Sequence, residues 1–239
     1  MAGHSKWHQI RHKKAANDSK MGKVFTKHAK LITLAARSGP DPDLNPTLRA
    51  AINNAKVDNV PNANIERAIK KASGEGGEAL QMSEVFYEGF GPEGVAIYVQ
   101  VITDNKNRSY TSVRNIFAKN GGNLGQPGSV GWMFQKRGSF LVELGSMDKE
   151  EAELVLIESG AEDFQELENE LLVYTEAQNL HETTETAKQN GLSIKQAEIT
   201  YVPTQTVEVT ESEAAQKVLD FIEKLEDDDD VQAVYMNMA

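Results

Sequence analysis

The period of the apolar residues changes once along this chain, and that change constrains the fold more than any other feature. Before Gly74-Glu75-Gly76-Gly77 the apolar residues recur at helical spacing, whereas beyond it β-branched runs alternate with helical stripes. One element cannot carry both periods. The glycine-rich segment therefore reads as a linker between a helical part and an α+β part.

The helical part reads as three helices. Over residues 19–37, Met21, Val24, Phe25, His28, Leu31, Ile32 and Ala35 fall on one stripe, and Gly39-Pro40 ends the pattern. A second helix is expected from the cap Asn45, with Pro46 at its first position and Leu48, Ala51, Ile52 and Ala55 inward. A third is expected from the cap Asn62, with Ile65, Ala68, Ile69 and Ala72 inward, ending at Gly74. Helices this short are marginal alone, so a small bundle is the natural solution.

Beyond the linker, residues 95–102 read as a strand, 110–120 as a helix and 130–134 as a second strand. Residues 138–203 then form a complete β-α-β-β-α-β pattern, the order of a ferredoxin-like unit. Its parts are a strand over 140–144, a helix capped by Asp148 with Glu151 and ended by Gly160, a hairpin of 163–167 with 171–175, a helix capped by Asn179 and ended by Gly191, and a strand over 197–202. A strand at 206–209 follows. Thr210 with Glu213 then reads as a capping box opening a helix that buries Ala215, Val218, Leu219, Ile222 and Leu225, and 231–236 closes as a strand.

The β-α-β before residue 138 and the one after 205 join into a second ferredoxin-like unit. The fold class is thus α+β, a three-helix bundle plus two ferredoxin-like domains with one inserted into the other. The expected domains are the basic arm and bundle over 1–79, a discontinuous domain over 80–135 plus 206–239, and the inserted domain over 136–205. Sequential domains satisfy the same periodicity.

Charge divides the chain differently from its average. The formal net charge is −11, yet residues 1–71 carry 14 Lys and Arg against 5 Asp and Glu, or +9. The rest carries 11 against 31, or −20. A basic arm on an acidic body seeks a polyanion while the body resists indiscriminate contact. Within the arm, Lys6, Trp7, Arg11, His12, Lys13 and Lys14 are the candidate nucleic-acid-binding residues. The cations neutralise phosphates and release counterions, and Trp7 can stack on an unpaired base. Lys20, Lys23, Lys27 and Lys30 fall outside the apolar stripe of the first helix and extend the basic surface. The bland alternative is a solubilising tail.

Other constellations carry less. His4, His8 and His12 would share a helical face, but no carboxylate or cysteine completes a metal site, and His28 sits in the apolar stripe as a core residue. Residues 121–129 are glycine-rich but follow a helix and lack a P-loop ending, so they read as a turn. Residues 227–230 read as a solvated acidic run, although acids at a helix C-terminus oppose the macrodipole. No nucleophile elbow, zincin motif or dinucleotide fingerprint is present, so the chain reads as non-enzymatic, with no cofactor. Cysteine is absent, and no apolar run is long enough to span a bilayer or serve as a secretory signal. A cytoplasmic monomer is expected.

The opening Met1-Ala2-Gly3-His4-Ser5-Lys6-Trp7, then His12-Lys13-Lys14-Ala15-Ala16 and Gly22-Lys23-Val24-Phe25-Thr26-Lys27, resemble the start of the YebC/PmpR family. The resemblance continues through Tyr87-Glu88-Gly89-Phe90-Gly91-Pro92, Thr103-Asp104-Asn105, Asn107-Arg108 and Gly121-Gly122-Asn123-Leu124-Gly125. It reaches Asp230-Val231-Gln232 and Val234-Tyr235, and departs at Met236, where a histidine is common in the family. It implies three domains and a cytoplasmic DNA-binding transcriptional regulator. As an alternative it also suggests a ribosome-associated, RNA-binding factor that relieves stalling at proline-rich stretches, with mitochondrial relatives that activate translation of cytochrome oxidase. The family brings no catalytic residue or cofactor. The partner is therefore DNA or ribosomal RNA, with the ribosome itself under the second reading. A groove-reading helix usually aims Arg, Asn or Gln at base edges, and the third helix offers only Asn64 and Arg67 in that style.

Overall fold

Three helices open the described part of the chain, and each has an apolar face to bury. The computed structural model describes residues 18–74, 81–145, 147–167 and 169–239, with side chains from Met21 onward. The basic stretch 6–14, the histidines His4 and His8, the side chain of Lys20 and the linker residues Glu75-Gly76-Gly77 lie outside the described residues. The helices are α1 (Asp18–Ala36), α2 (Pro46–Val57) and α3 (Asn62–Ser73). They enclose Ile32, Ala36, Leu48, Ala55, Val60, Ile65, Ala68 and Ala72.

Asn45 joins the first two helices through one side chain. Its Oδ1 accepts the Leu48 amide at 3.1 Å and its Nδ2 donates to the carbonyls of Ala35 and Gly39 at 2.8 Å. It thereby caps α2 and satisfies the end of α1. Two expectations fail here. Asn62 is the first helical residue of α3, not its cap; Pro61 takes that position with no side-chain hydrogen bond. Met21 is 41% exposed instead of inward. At 19 residues against 12, α1 outruns both partner helices, so its first turns have nothing to pack on within the bundle.

The α+β part of the same compact unit begins with the hairpin β1 (Ser83–Phe90) and β2 (Ala96–Thr103), followed by α4 (Lys106–Lys119) and the short β3 (Asn123–Leu124). It resumes at Pro203 with α7 (Ser212–Glu226) and β8 (Val231–Met236). The strand order is β3-β1-β2-β8, with β1 antiparallel to both its neighbours and β2 antiparallel to β8. Residues of α4 and α7 pack on one sheet face through Val113, Phe117, Val218, Phe221, Ile222 and Leu225. Phe117 meets Phe221 edge to face at 5.0 Å. Gly89 lets β3 approach β1, since a Cβ there would lie 2.4 Å from the Asn123 carbonyl oxygen.

Several local expectations are corrected in this unit. Residues 130–133 are not a strand; Gly131–Met133 form a 3-10 turn, and Phe134 opens the next strand. The Glu88 carboxylate accepts the amides of Gly128, Val130 and Gly131 at 2.7–2.9 Å, taking the donors a ladder would need. β1 was not legible as a strand at all. Residues 206–209 contribute a single bridge, Val207 to Met238, instead of a strand. No capping box forms at Thr210, because α7 starts after Glu211 without a side-chain cap. Phe221 is buried in α7 while Ala215 is only half-buried. The helix expected at 110 starts four residues earlier, where the Asn105 side chain accepts the Arg108 amide at 3.1 Å.

The second compact unit, Gln135–Val202, contains most of β4 (Phe134–Glu143), then α5 (Lys149–Glu158), β5 (Asp163–Leu167), β6 (Glu170–Glu176), α6 (Leu180–Gln189) and β7 (Ser193–Pro203). The strand order is β5-β6-β4-β7, the arrangement of a ferredoxin-like sheet. Phe140, Val142, Leu156, Leu171, Val173 and Leu192 form its core. Asp148 caps α5 by accepting the Glu150 amide at 3.2 Å, whereas Asn179 precedes α6 without a capping hydrogen bond. The α+β class with two four-stranded sheets agrees with the sequence reading.

Candidate nucleic-acid interface

Three of the four α1 lysines expected to extend the basic arm have partners inside the protein. Lys23 Nζ donates to the Asp227 carbonyl at 3.1 Å and to its carboxylate at 2.9 Å. Lys27 Nζ donates to the Glu226 carbonyl at 3.1 Å. Lys30 Nζ donates to the Asp229 carbonyl at 2.5 Å and to Asp230 Oδ1 at 2.6 Å. All these acceptors belong to the end of α7 or the turn after it. A helix C-terminus carries orphan carbonyls and negative dipole charge, and four consecutive aspartates make it worse. The lysines of α1, one turn apart on a single flank, supply the compensating cations.

The sequence reading of a solvated acidic run holds for Asp227 and Asp229, which are exposed, and fails for Asp230. Asp230 is 7% exposed. Besides Lys30, its carboxylate accepts from Arg108 Nη2 at 2.9 Å, Ser109 Oγ at 2.7 Å and Thr103 Oγ1 at 3.2 Å. Burial alone would raise the pKa of this carboxyl. The hydrogen bonds from Lys30, Ser109 and Arg108 outweigh burial and bring it down to about 2. Asp228 accepts from Ser112 of α4. The run thus ties α1, the end of β2, the start of α4 and β8 together. The segments Thr103-Asp104-Asn105, Asn107-Arg108 and Asp230-Val231, separate in the sequence, meet here.

Glu88 is the second buried carboxylate that sequence reasoning missed. Burial pushes its pKa up, and the amides of Gly128, Val130, Gly131 and Ser129 pull it below the ordinary glutamate value. Its role is to hold the glycine-rich loop in one shape, consistent with a turn there instead of a phosphate cradle. His28 is 8% exposed and its Nε2 lies 2.6 Å from Asp58 Oδ2, while its Nδ1 has no hydrogen-bond partner. The expectation of a satisfied core histidine holds for one ring nitrogen.

The outer side of α3 exposes Arg67, Lys70 and Lys71. Among the described residues Lys70 and Lys71 make no ion pair, and Arg67 lies 3.5 Å from Asn64 Oδ1. The bundle therefore keeps open cations on α3 while those of α1 are engaged. No cluster of metal-ligating side chains occurs among the described residues, and none of their helices is long and apolar enough to cross a membrane.

Comparison with known proteins places this architecture. A family model described as the TACO1/YebC protein N-terminal domain matches residues 5–75, and one described as the TACO1/YebC second and third domain matches residues 82–238. A protein of Halothermothrix orenii named "Probable transcriptional regulatory protein" is 48% identical over 240 residues, covering 99% of this chain and 94% of its own. One of the same name from Persephonella marina is 49% identical, covering 99% and 95%. The crystal structure of a conserved hypothetical protein from Aquifex aeolicus is similar, with a TM-score of 0.90 at 45% identity, covering 98% of this chain and 96% of that one. With both family models matched and the fold shared along the full length, the chain belongs to the TACO1/YebC family.

Proposed function

We propose that the protein is a nucleic-acid-binding regulator of transcription whose first contact with DNA is the basic arm. In this reading Lys6, Arg11, His12, Lys13, Lys14 and Lys20 meet the phosphate backbone, and Trp7 stacks on a base. Lys23, Lys27 and Lys30 hold the end of α7 instead of touching the ligand. The observation that carries the reading is the partition of charge, +9 over residues 1–71 against −20 over the rest. A chain at −20 elsewhere approaches a polyanion first by its positive end. The name shared by the relatives supports transcription as the process.

Crosslinking in cells followed by sequencing of the bound nucleic acid tests this directly. Promoter DNA should dominate the recovered reads. Dominance of ribosomal RNA would replace transcription with translation as the process and leave the arm as the contact. In vitro, the logarithm of affinity should fall with the logarithm of salt concentration, at about 0.7–0.9 per phosphate neutralised. Salt-independent binding would remove the electrostatic account.

A further inference from the structure

Helix α4 is unlike the rest of the acidic body. Its sequence, Lys106-Asn107-Arg108-Ser109-Tyr110-Thr111-Ser112-Val113-Arg114-Asn115-Ile116-Phe117-Ala118-Lys119, holds four of the eleven basic residues beyond position 71 and no acid. One of the four is engaged by carboxylates and the other three are exposed. Arg108 is held by Asp104 and Asp230, and lies on the flank toward α7. Lys106 and Arg114 are exposed and make no ion pair among the described residues.

Lys106, Tyr110 and Arg114 follow one another at intervals of four, so they share a flank with about 6 Å of rise between neighbours. That flank overlies β1. Tyr87 on β1 donates its hydroxyl to the Lys106 carbonyl at 3.1 Å, and its ring lies 5.9 Å from that of Tyr110 at a 57° tilt. The Tyr87 ring thus supports Tyr110 from below while Tyr110 stays 45% exposed. Strand alternation turns Val85, Tyr87 and Gly89 of β1 toward α4, and Glu84 and Glu88 away. No β1 carboxylate therefore neutralises the flank. A merely solvated helix face on so acidic a chain has no reason to exclude acids or to keep a half-exposed tyrosine braced between two unpaired cations.

We infer that this flank of α4 is a second nucleic-acid contact that takes an unpaired strand: Tyr110 stacks on a base while Lys106 and Arg114 hold the phosphates on either side. Stacking on an aromatic ring needs a base free of its duplex, and flanking cations supply affinity that does not depend on sequence. The inference deepens the nucleic-acid reading above and rests on it. It adds the class of ligand, a single-stranded segment such as one exposed when a duplex opens.

The test uses the full-length protein with two fluorescent probes, a short oligothymidylate and a duplex of equal length, followed by polarisation. Tyr110→Ala should weaken single-strand binding roughly five- to a hundredfold and change duplex binding less than about twofold. Tyr110→Phe should bind like the parent. Lys106→Gln and Arg114→Gln, both at exposed positions, should each lower the single-strand salt slope by about 0.7. Unchanged single-strand binding in Tyr110→Ala and Arg114→Gln overturns the inference, as does an equal loss on both probes. If Arg11→Gln/Lys13→Gln/Lys14→Gln abolishes binding while the α4 variants bind single strands like the parent, the arm reading stands and this one falls. If the parent binds neither probe, both fall.

Discussion

α1 and α4 each present cations along one flank, one turn apart on α1 and two turns apart on α4, and the two rows have opposite fates. On α1, Lys23, Lys27 and Lys30 are taken up by the carbonyls and carboxylates at the end of α7. On α4, Lys106 and Arg114 meet no carboxylate among the described residues. The rows look alike as sequence. What separates them is whether an acidic element from elsewhere in the chain lands opposite. A basic flank is thus a candidate ligand surface only after its intramolecular claimants are known, because a nearby carboxylate competes with any phosphate at far higher effective concentration.

The sharpest way to probe the α1 side is to remove the acceptor at its centre. Asp230→Asn should cost about 2–4 kcal/mol in urea unfolding, since it strips a buried carboxylate from Lys30, Arg108 and Ser109; half-exposed Arg108 keeps the loss below that of a fully buried pair. A loss under about 0.5 kcal/mol would show that the acidic run is a passive neighbour. The same carboxyl makes stability depend on pH. Its folded pKa of about 2 lies below the ordinary 3.8, so its contribution is complete above pH 4 and disappears as the pH falls through 2. The parent should lose stability across that window, and Asp230→Asn should lack that part of the loss.

Next in size is Lys30→Gln, expected to cost about 1–2 kcal/mol, with a coupling to Asp230 measurable in a double-mutant cycle. Lys23→Gln should cost less than about 1 kcal/mol, because both members of that pair are largely exposed. Neither lysine variant should flatten the salt dependence of nucleic-acid binding. A flatter slope would mean that α7 yields these lysines to phosphate, and the contrast with α4 would collapse. Smallest of all, Lys106→Gln and Arg114→Gln should leave stability within about 0.5 kcal/mol of the parent. A larger loss would mean that the α4 row, too, serves the fold.

Legibility followed the range of the interactions. The start of α2 was readable to the residue, since Asn45, Pro46 and the apolar stripe all lie within one short segment. β8 and the β5–β6 hairpin were readable for the same reason. β1 was not, because Ser83–Phe90 carries two glutamates and a glycine among its apolar residues and becomes a strand by pairing with β2 on one side and β3 on the other. The turn at Gly131–Met133 was misread because its cause, the Glu88 carboxylate, lies more than forty residues away. Of the proposed interface, the charge of the arm was visible at once, and so was the lysine flank of α1; its engagement was not.

The helical bundle followed by α+β and the concentration of positive charge at one end were determined by sequence alone, because apolar period and charge are local properties. The tertiary structure decided which charges remain open. It placed residues 226–230 against α1, buried Asp230 among Lys30, Arg108 and Ser109, and left Lys106 and Arg114 facing outward. The engaged charges depend on groups 121 to 204 residues apart coming within hydrogen-bond distance, and no local pattern encodes that distance.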